Sequence, residues 1–250
     1  MFTTYMWALY ARETKRFRKI WMDTLFNPIV SVGLYLVVFG VVLGGQQIGD
    51  VNALAFVYTG LLGMVLVNAG FSNPGFALVI ARNMGTMADL QLAPIKPWGI
   101  GFAYAFAAVT RAIVTLLLAV ILTCWWVPGL KLVHPLLLIM VILVNGLLFG
   151  FAGVIFGMKA RGFEALTFVT TFVLQPMIFL AGVFYPVSRL PAPWNTVSLF
   201  NPLHHTVNLL RYSILGYQDV NPRISGAVIV ALFIITGALM SSIVAKELKR

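Results

Sequence analysis

Apolar runs about twenty residues long recur along the chain, and the short segments between them hold nearly all of its charge. A helix needs about 20 such residues to cross about 30 Å of hydrocarbon. Six stretches qualify, at 28–44, 55–71, 99–127, 136–156, 165–184 and 224–244. The first is the shortest, and the third is long enough to tilt or to begin on the membrane surface. An open sheet could not cross, because its edge groups would find no partners in lipid. The pattern therefore predicts an all-α polytopic membrane protein with six transmembrane helices, read as one domain over residues 1–250.

Residues 1–25 follow a different period. At 100° per residue, Phe2, Tyr5, Met6, Leu9, Tyr10, Phe17, Ile20 and Trp21 share one side of a helix, and Arg12, Lys15, Arg18 and Lys19 the other. That division predicts an amphipathic helix in the plane of the membrane. Glu13 falls on the apolar side, where it needs a partner nearby or on a neighbouring span. The apolar run that follows exceeds a signal-peptide core and no A-x-A-like site closes it, so retention of this segment is expected.

Composition excludes the soluble classes. The chain is 60% hydrophobic and 10% charged, whereas soluble domains carry about 25% charged residues. The net charge of +10 would suit a nucleic-acid binder, but no basic face stands clear of the apolar spans. The cations instead flank the spans, and their distribution sets an orientation. Arg12, Lys15, Arg16, Arg18, Lys19, Arg82, Lys96, Lys159, Arg161, Lys246, Lys249 and Arg250 fall on the side of the termini; Lys131, Arg189, Arg211 and Arg223 fall on the other. Cytoplasmic termini are expected. Trp7, Trp21, Trp98, Trp125, Trp126 and Trp194 lie near span ends or in flanking segments, as interfacial anchors do. The single cysteine, Cys124, can form no internal disulfide.

Two connections carry more than a turn. Residues 73–98 mix Leu78, Val79, Met84, Leu90 and Leu92 with Arg82, Asp89 and Lys96, which predicts a short surface helix stopped by Pro94. Residues 185–223 hold Pro186, Pro191, Pro193 and Pro202, and are too apolar for an open loop yet too interrupted to span. Short helices dipping into the outer leaflet are expected there, with their irregular backbone buried by protein.

Within the spans, Gly146, Gly150, Gly153 and Gly157 form one stripe on a helical wheel, which permits close approach of another helix of this chain or of a second subunit. Arg111 lies inside the third span, where an ionisable residue costs about 2.5–3.5 kcal/mol on insertion scales and marks a candidate site. Snorkelling or bonding to carbonyls would account for it equally well. Gln175 and Pro176 interrupt the fifth span, and a kink is the expected result. Asn68, Arg111 and Gln175 are the candidate substrate-pathway residues.

Catalytic constellations are missing from the sequence. Gly70 to Pro74 reads GFSNP and lacks the second glycine of a G-x-S-x-G turn. The three histidines, His134, His204 and His205, map outside the spans, and no H-E-x-x-H or Cys/His metal spacing occurs. Adjacent His204 and His205 point in different directions on a helix, with no evident third ligand. No G-x-x-x-x-G-K-[ST] is present to hold a nucleotide. No catalytic residue, metal ligand or bound cofactor is assigned.

Residues 179–212, FLAGVFYPVSRLPAPWNTVSLFNPLHHTVNLLRY, resemble the segment after the fifth span of ABC-2 type permeases, with a Gly-Val-Phe-Tyr-Pro turn, a Leu-Pro, and an Asn-Pro-Leu leading to Arg-Tyr. A second match is RNMGTMADLQLAP, residues 82–94. The family commonly has Arg-Glu-x-Gly-Thr, an acidic pair and a proline here; this chain has Asn83 and Ala88 instead and keeps Asp89. The basic N-terminal helix also resembles the family's elbow helix. The wording is closest to the branch of nodulation lipo-oligosaccharide and multidrug exporters.

The resemblance implies an inner-membrane exporter subunit for an amphipathic or glycan-bearing molecule. It implies a homodimer or a close heterodimer bound to two cytoplasmic ATPase subunits, which would supply ATP and Mg chemistry. In residues 74–98 the 78–92 helix would couple to each ATPase, with Arg82, Gly85, Thr86, Asp89, Leu90 and Pro94 at the joint. Residues 185–223 would cap the exit, with Tyr185, Pro186, Asn201, Pro202 and Arg211 at the gate. Membrane lipid is the other expected partner. A passive channel or scaffold, and less so a membrane-embedded hydrolase, are the competing classes.

Overall fold

The computed structural model describes residues 2–19, 22–93 and 95–249. Ile20, Trp21, Pro94 and Arg250 lie outside the described residues, as do the side chains of Phe2, Phe17, Arg18 and Lys19. The architecture is a bundle of helices arranged around one long central member.

That member is α3, Ala53–Asn83, 31 residues long and buried along most of its apolar length. Asn52 starts it by accepting from the backbone N–H of Leu54 at 2.9 Å and of Ala55 at 3.4 Å, as an N-cap should. It is preceded by a two-residue antiparallel hairpin, β1 (Gln47–Ile48) with β2 (Val51–Asn52). The helix does not stop at residue 71, where the hydropathy pattern ends its span. It runs on through Pro74, with Leu78 and Val79 at 1% and 0% exposure. A proline inside a membrane helix is tolerated where neighbouring helices support the freed backbone. The surface helix expected over 78–92 shrinks accordingly to α4, Met87–Leu92.

α5 (Pro97–Thr123, extended by a 3-10 turn at Cys124–Trp126) and α6 (Pro135–Lys159) pack on α3. The glycine stripe lies at this junction. A methyl added at Gly146 or Gly150 would meet Val109 Cγ2 or Ala105 Cβ of α5, each at 3.0 Å. One at Gly157 would meet the Gly75 carbonyl oxygen of α3 at 2.8 Å, and one at Gly153 the Pro74 ring, also at 2.8 Å. The stripe thus seats α6 against two helices of its own chain.

α2 (Asn27–Leu43) follows a π-helical turn at Met22–Phe26. α7 (Phe163–Val169) passes through a second π turn, Thr170–Leu174, into α8 (Gln175–Leu180). This is the irregularity expected where Pro176 removes a donor from the helical ladder. After a 3-10 turn at Val187–Arg189 come α9 (Trp194–Leu199), α10 (Pro202–Leu215) and α11 (Pro222–Glu247).

Among the described residues, five helical segments are long and apolar enough to cross a membrane: Ala53–Asn83, Pro97–Trp126, Pro135–Lys159, Phe163–Leu180 and Pro222–Glu247. α2 is apolar but shorter, at 17 residues. Large apolar side chains stand exposed on α2 (Leu34, Val37, Val38, Val41) and on α7 and its continuation (Phe168, Phe172, Phe179). Surfaces of that size on a soluble monomer would be unusual; lipid or another subunit must cover them.

α1 (Phe2–Lys19) lies against α5. Tyr10 Oη and Thr110 Oγ1 share a hydrogen bond at 2.9 Å, and Arg12 donates to Tyr104 Oη at 3.2 Å. Glu13, on the apolar side of the wheel, is 6% exposed and pairs with Arg16 at 2.9 Å and Arg12 at 3.5 Å. Burial raises its pKa against the pull of both arginines.

Candidate functional site

One end of the bundle presents a small, firmly held step. α3 closes with the Met84 N–H on the Ile80 carbonyl (2.9 Å) and the Gly85 N–H on the Arg82 carbonyl (3.1 Å). Gly85 takes φ +72°, a left-handed conformation that favours glycine after a helix. Thr86 Oγ1 donates back to the Ala81 carbonyl at 3.2 Å. Arg82 reaches across to the carbonyls of Met158 and Ala160. Its cation therefore satisfies the last carbonyls of α6, where the helix dipole favours positive charge. Leu90 then anchors α4: it is 3% exposed and packs in a cluster with Leu9, Leu78, Ile100 and Tyr104.

What remains outward is a face of Met84 and Leu92, 74% and 84% exposed, together with exposed Asp89 and Gln91. Of the residues expected at the coupling joint, Arg82, Gly85, Thr86 and Leu90 build the step, and Asp89 is on its free face. Pro94 lies outside the described residues.

The three pathway candidates are not gathered into one site. Arg111 is half-buried between α5 and α3 and donates to Asn73 Oδ1 at 3.1 Å. It directly follows Thr110, which bonds α1, so its backbone lies level with α1. Asn68 is half-buried on α3, and Gln175 is exposed beside the π turn. Asn73 is the partner that one-dimensional reading missed.

At the opposite end of α3, α10 carries a buried polar network. Asn201 caps it, accepting from the Leu203 N–H at 3.0 Å and donating to the Met177 carbonyl at 2.6 Å, with Pro202 in the first turn. Arg211, expected at a gate, is fully buried. It donates to Asp219 Oδ2 (3.1 Å), the Gly182 carbonyl (2.9 Å) and the Phe56 carbonyl (3.3 Å). Burial draws its pKa down to about 10, so it stays a cation at neutral pH.

Asn208 accepts from the backbone of Asp219 at 2.8 Å and donates to Ser225 Oγ at 2.9 Å. His205 bridges Ser225 Oγ (3.0 Å) and the Leu199 carbonyl (2.9 Å). Burial lowers the pKa of both His204 and His205, so the neutral imidazole is favoured. Tyr185 donates to the Phe179 carbonyl at 2.7 Å, and Pro186 is buried. These residues fasten the segment that follows α8 to its neighbours. Among the described residues no group of three or more His, Cys, Asp or Glu is placed to hold a metal ion.

The ABC-2 type transporter family model matches residues 4–215. The chain is 30% identical over 232 residues to the inner membrane transport permease YadH of Escherichia coli K12, covering 91% of this chain and 89% of the relative. It is 26% identical over 223 residues to nodulation protein J of Rhizobium leguminosarum bv. trifolii, covering 86% and 82%. With nodulation protein J of Sinorhizobium fredii the identity is 28% over 204 residues, covering 78% and 73%. A helical membrane bundle, a family match over residues 4–215 and similarity to a transport permease over 91% of the chain agree: the chain belongs to the ABC-2 type transporter family and is a multi-pass membrane permease.

Proposed function

We propose that this permease is the membrane half of an exporter driven by a separate ATPase, with α4 as the seat of that motor. The observation that carries this reading is the step at Met84–Leu92: pinned from within by Leu90 and Arg82, it offers Asp89, Leu92 and Met84 outward. A surface helix that cannot slide on its own bundle transmits the displacement of whatever grips it. For such coupling to work, the nucleotide must favour one arrangement over the other in free energy. ATP and Mg would be bound by the partner.

The assembly we envisage has two permease copies and two ATPase subunits. The exposed apolar faces of α2 and of α7–α8 support a second permease copy. The cation distribution supports cytoplasmic termini and places α4 on the cytoplasmic side. α2 would complete the spans at six, its 17 residues being at the lower limit of length, with α1 resting in the interface as the elbow. The transported molecule would be amphipathic or glycan-bearing, a reading that rests on the resemblance of residues 179–212 to the nodulation lipo-oligosaccharide exporter branch.

The test is affinity purification of the full-length permease from its native membrane. A stoichiometric nucleotide-hydrolysing subunit that crosslinks to a cysteine placed at Leu92 is the expected result. Recovery of the permease without any such subunit, under conditions that keep membrane complexes together, would refute the reading.

A further inference from the structure

α3, α6 and α11 end together, and Arg82, Lys159, Arg161 and Lys246 border a cleft of about 660 Å3 between their ends, with α4 at its edge. Glu247 is the one carboxylate among the described lining residues. Lys159 and Lys246 fall in the last turns of α6 and α11, where the helix dipole alone favours a cation. That accounts neither for Arg161, which lies beyond the end of α6, nor for the convergence of all four cations on one cavity. Arg82 is committed to the α6 carbonyls, whereas Lys159, Arg161 and Lys246 are exposed.

The same cleft has an apolar wall of Met87 and Ile243, both half-buried, with fully buried Met158 behind it. A free polyanion would gain nothing from it. A phospholipid would use both surfaces, its phosphate on the cations and its glycerol and first acyl carbons against Met87 and Ile243. The position agrees, because the cleft opens at the ends of three membrane-length helices, the level at which headgroups lie. Basic pockets between transmembrane helices hold anionic headgroups by this chemistry.

We infer that the cleft between the ends of α3, α6 and α11 binds the headgroup of an anionic phospholipid, with Lys159, Arg161 and Lys246 as its cationic contacts. The inference needs only the membrane placement of these helices and stands apart from the exporter reading.

The experiment uses full-length permease in mixed micelles titrated with phosphatidylglycerol or phosphatidylcholine, with bound lipid counted by native mass spectrometry. Wild type is expected to retain phosphatidylglycerol at least tenfold better than the triple variant Lys159→Gln, Arg161→Gln, Lys246→Gln. A second triple variant, Lys131→Gln, Arg189→Gln, Arg223→Gln, is expected to match wild type. Equal retention by all three proteins, or equal loss in both variants, would overturn the inference. So would displacement of the lipid by excess inorganic phosphate, which would make free phosphate the ligand.

Should the first variant fail to fold, wild type is labelled with a phosphatidylglycerol carrying a photoreactive headgroup. Crosslinks at Lys159, Arg161 or Lys246 support the site. Crosslinks confined to other regions, or protection of these residues only by an acidic segment of the ATPase subunit, refute it.

Discussion

The guanidinium of Arg211 lies 3.4 Å from the centre of the Phe56 ring, in the first turn of α3, while its edge holds Asp219 at 3.1 Å. One side chain thereby ties α10, the turn at Gly182, the loop before α11 and the start of α3. Both members of the ion pair are at most 5% exposed, so solvent screening offers little relief.

Removing one partner leaves the other charge buried. Arg211→Met or Asp219→Asn is expected to cost about 3–5 kcal/mol of stability. The double variant should recover part of that loss, since a buried pair replaced as a pair leaves no orphan charge. Denaturant or thermal unfolding in detergent, arranged as a double-mutant cycle, reads the coupling. Single variants that unfold like wild type would show that the clasp contributes nothing.

Gly157→Ala puts a methyl within 2.8 Å of the Gly75 carbonyl and 2.9 Å of its Cα, both backbone atoms. Overpacking of this kind costs about 1–3 kcal/mol. Gly226→Ala, where nothing lies within 4 Å, should be close to neutral. The midpoint of thermal unfolding separates the two. If Gly157→Ala leaves that midpoint alone and changes only the particle mass, the stripe serves a subunit contact instead.

The pKa of Glu13 is raised by burial when α1 is docked on α5. A carboxyl with a higher pKa when docked favours docking once protonated. That stabilisation is full below the free carboxyl value and is lost as pH rises through the docked value. Lowering the pH from neutral toward 4.5 should therefore tighten α1. Hydrogen-exchange protection of the α1 amides, corrected for intrinsic rates, should rise in wild type and stay level in Glu13→Gln. A parallel rise in both proteins would place the titrating group elsewhere.

At the step, two kinds of substitution should part ways. Asp89→Lys and Leu92→Asp, on the free face, should leave folding intact and reduce stimulation of the partner ATPase roughly tenfold, which is about 1.4 kcal/mol of coupling. Leu90→Ala should instead destabilise by about 2–5 kcal/mol, because it empties a filled core position. Stimulation measured in proteoliposomes, alongside melting curves, tests both. Unchanged stimulation in Asp89→Lys and Leu92→Asp moves the contact away from α4.

Much of the bundle is legible along the chain because lipid imposes a one-dimensional rule. Residues 136–156 and 224–244 fall inside α6 and α11, and the glycine stripe announces a close approach before its partners are known. Boundaries set by polarity fail where a polar residue is buried by a neighbour. Asn73 and Arg82 look like the start of a water-facing segment, yet one accepts from Arg111 and the other serves α6, so α3 continues to Asn83. Arg211 reads as a surface cation for the same reason. Its carboxylate is eight positions further on, and no periodicity pairs Arg211 with Asp219 across a turn. Glu13 is the converse case: the wheel marks it as out of place, yet its partners Arg12 and Arg16 lie on its own helix, one and three positions away, and packing of α1 on α5 supplies only the burial.

Between Phe56 and Arg82 the backbone of α3 is one uninterrupted helix, about 39 Å of it at 1.5 Å per residue. A push-rod has no slack. With Gly153 and Gly157 pressing α6 onto its middle and lower half, a nudge at the α4 step has no loop in which to dissipate before it reaches the Arg211 clasp. Whatever the far end does in response, it must do as a displacement of the whole rod.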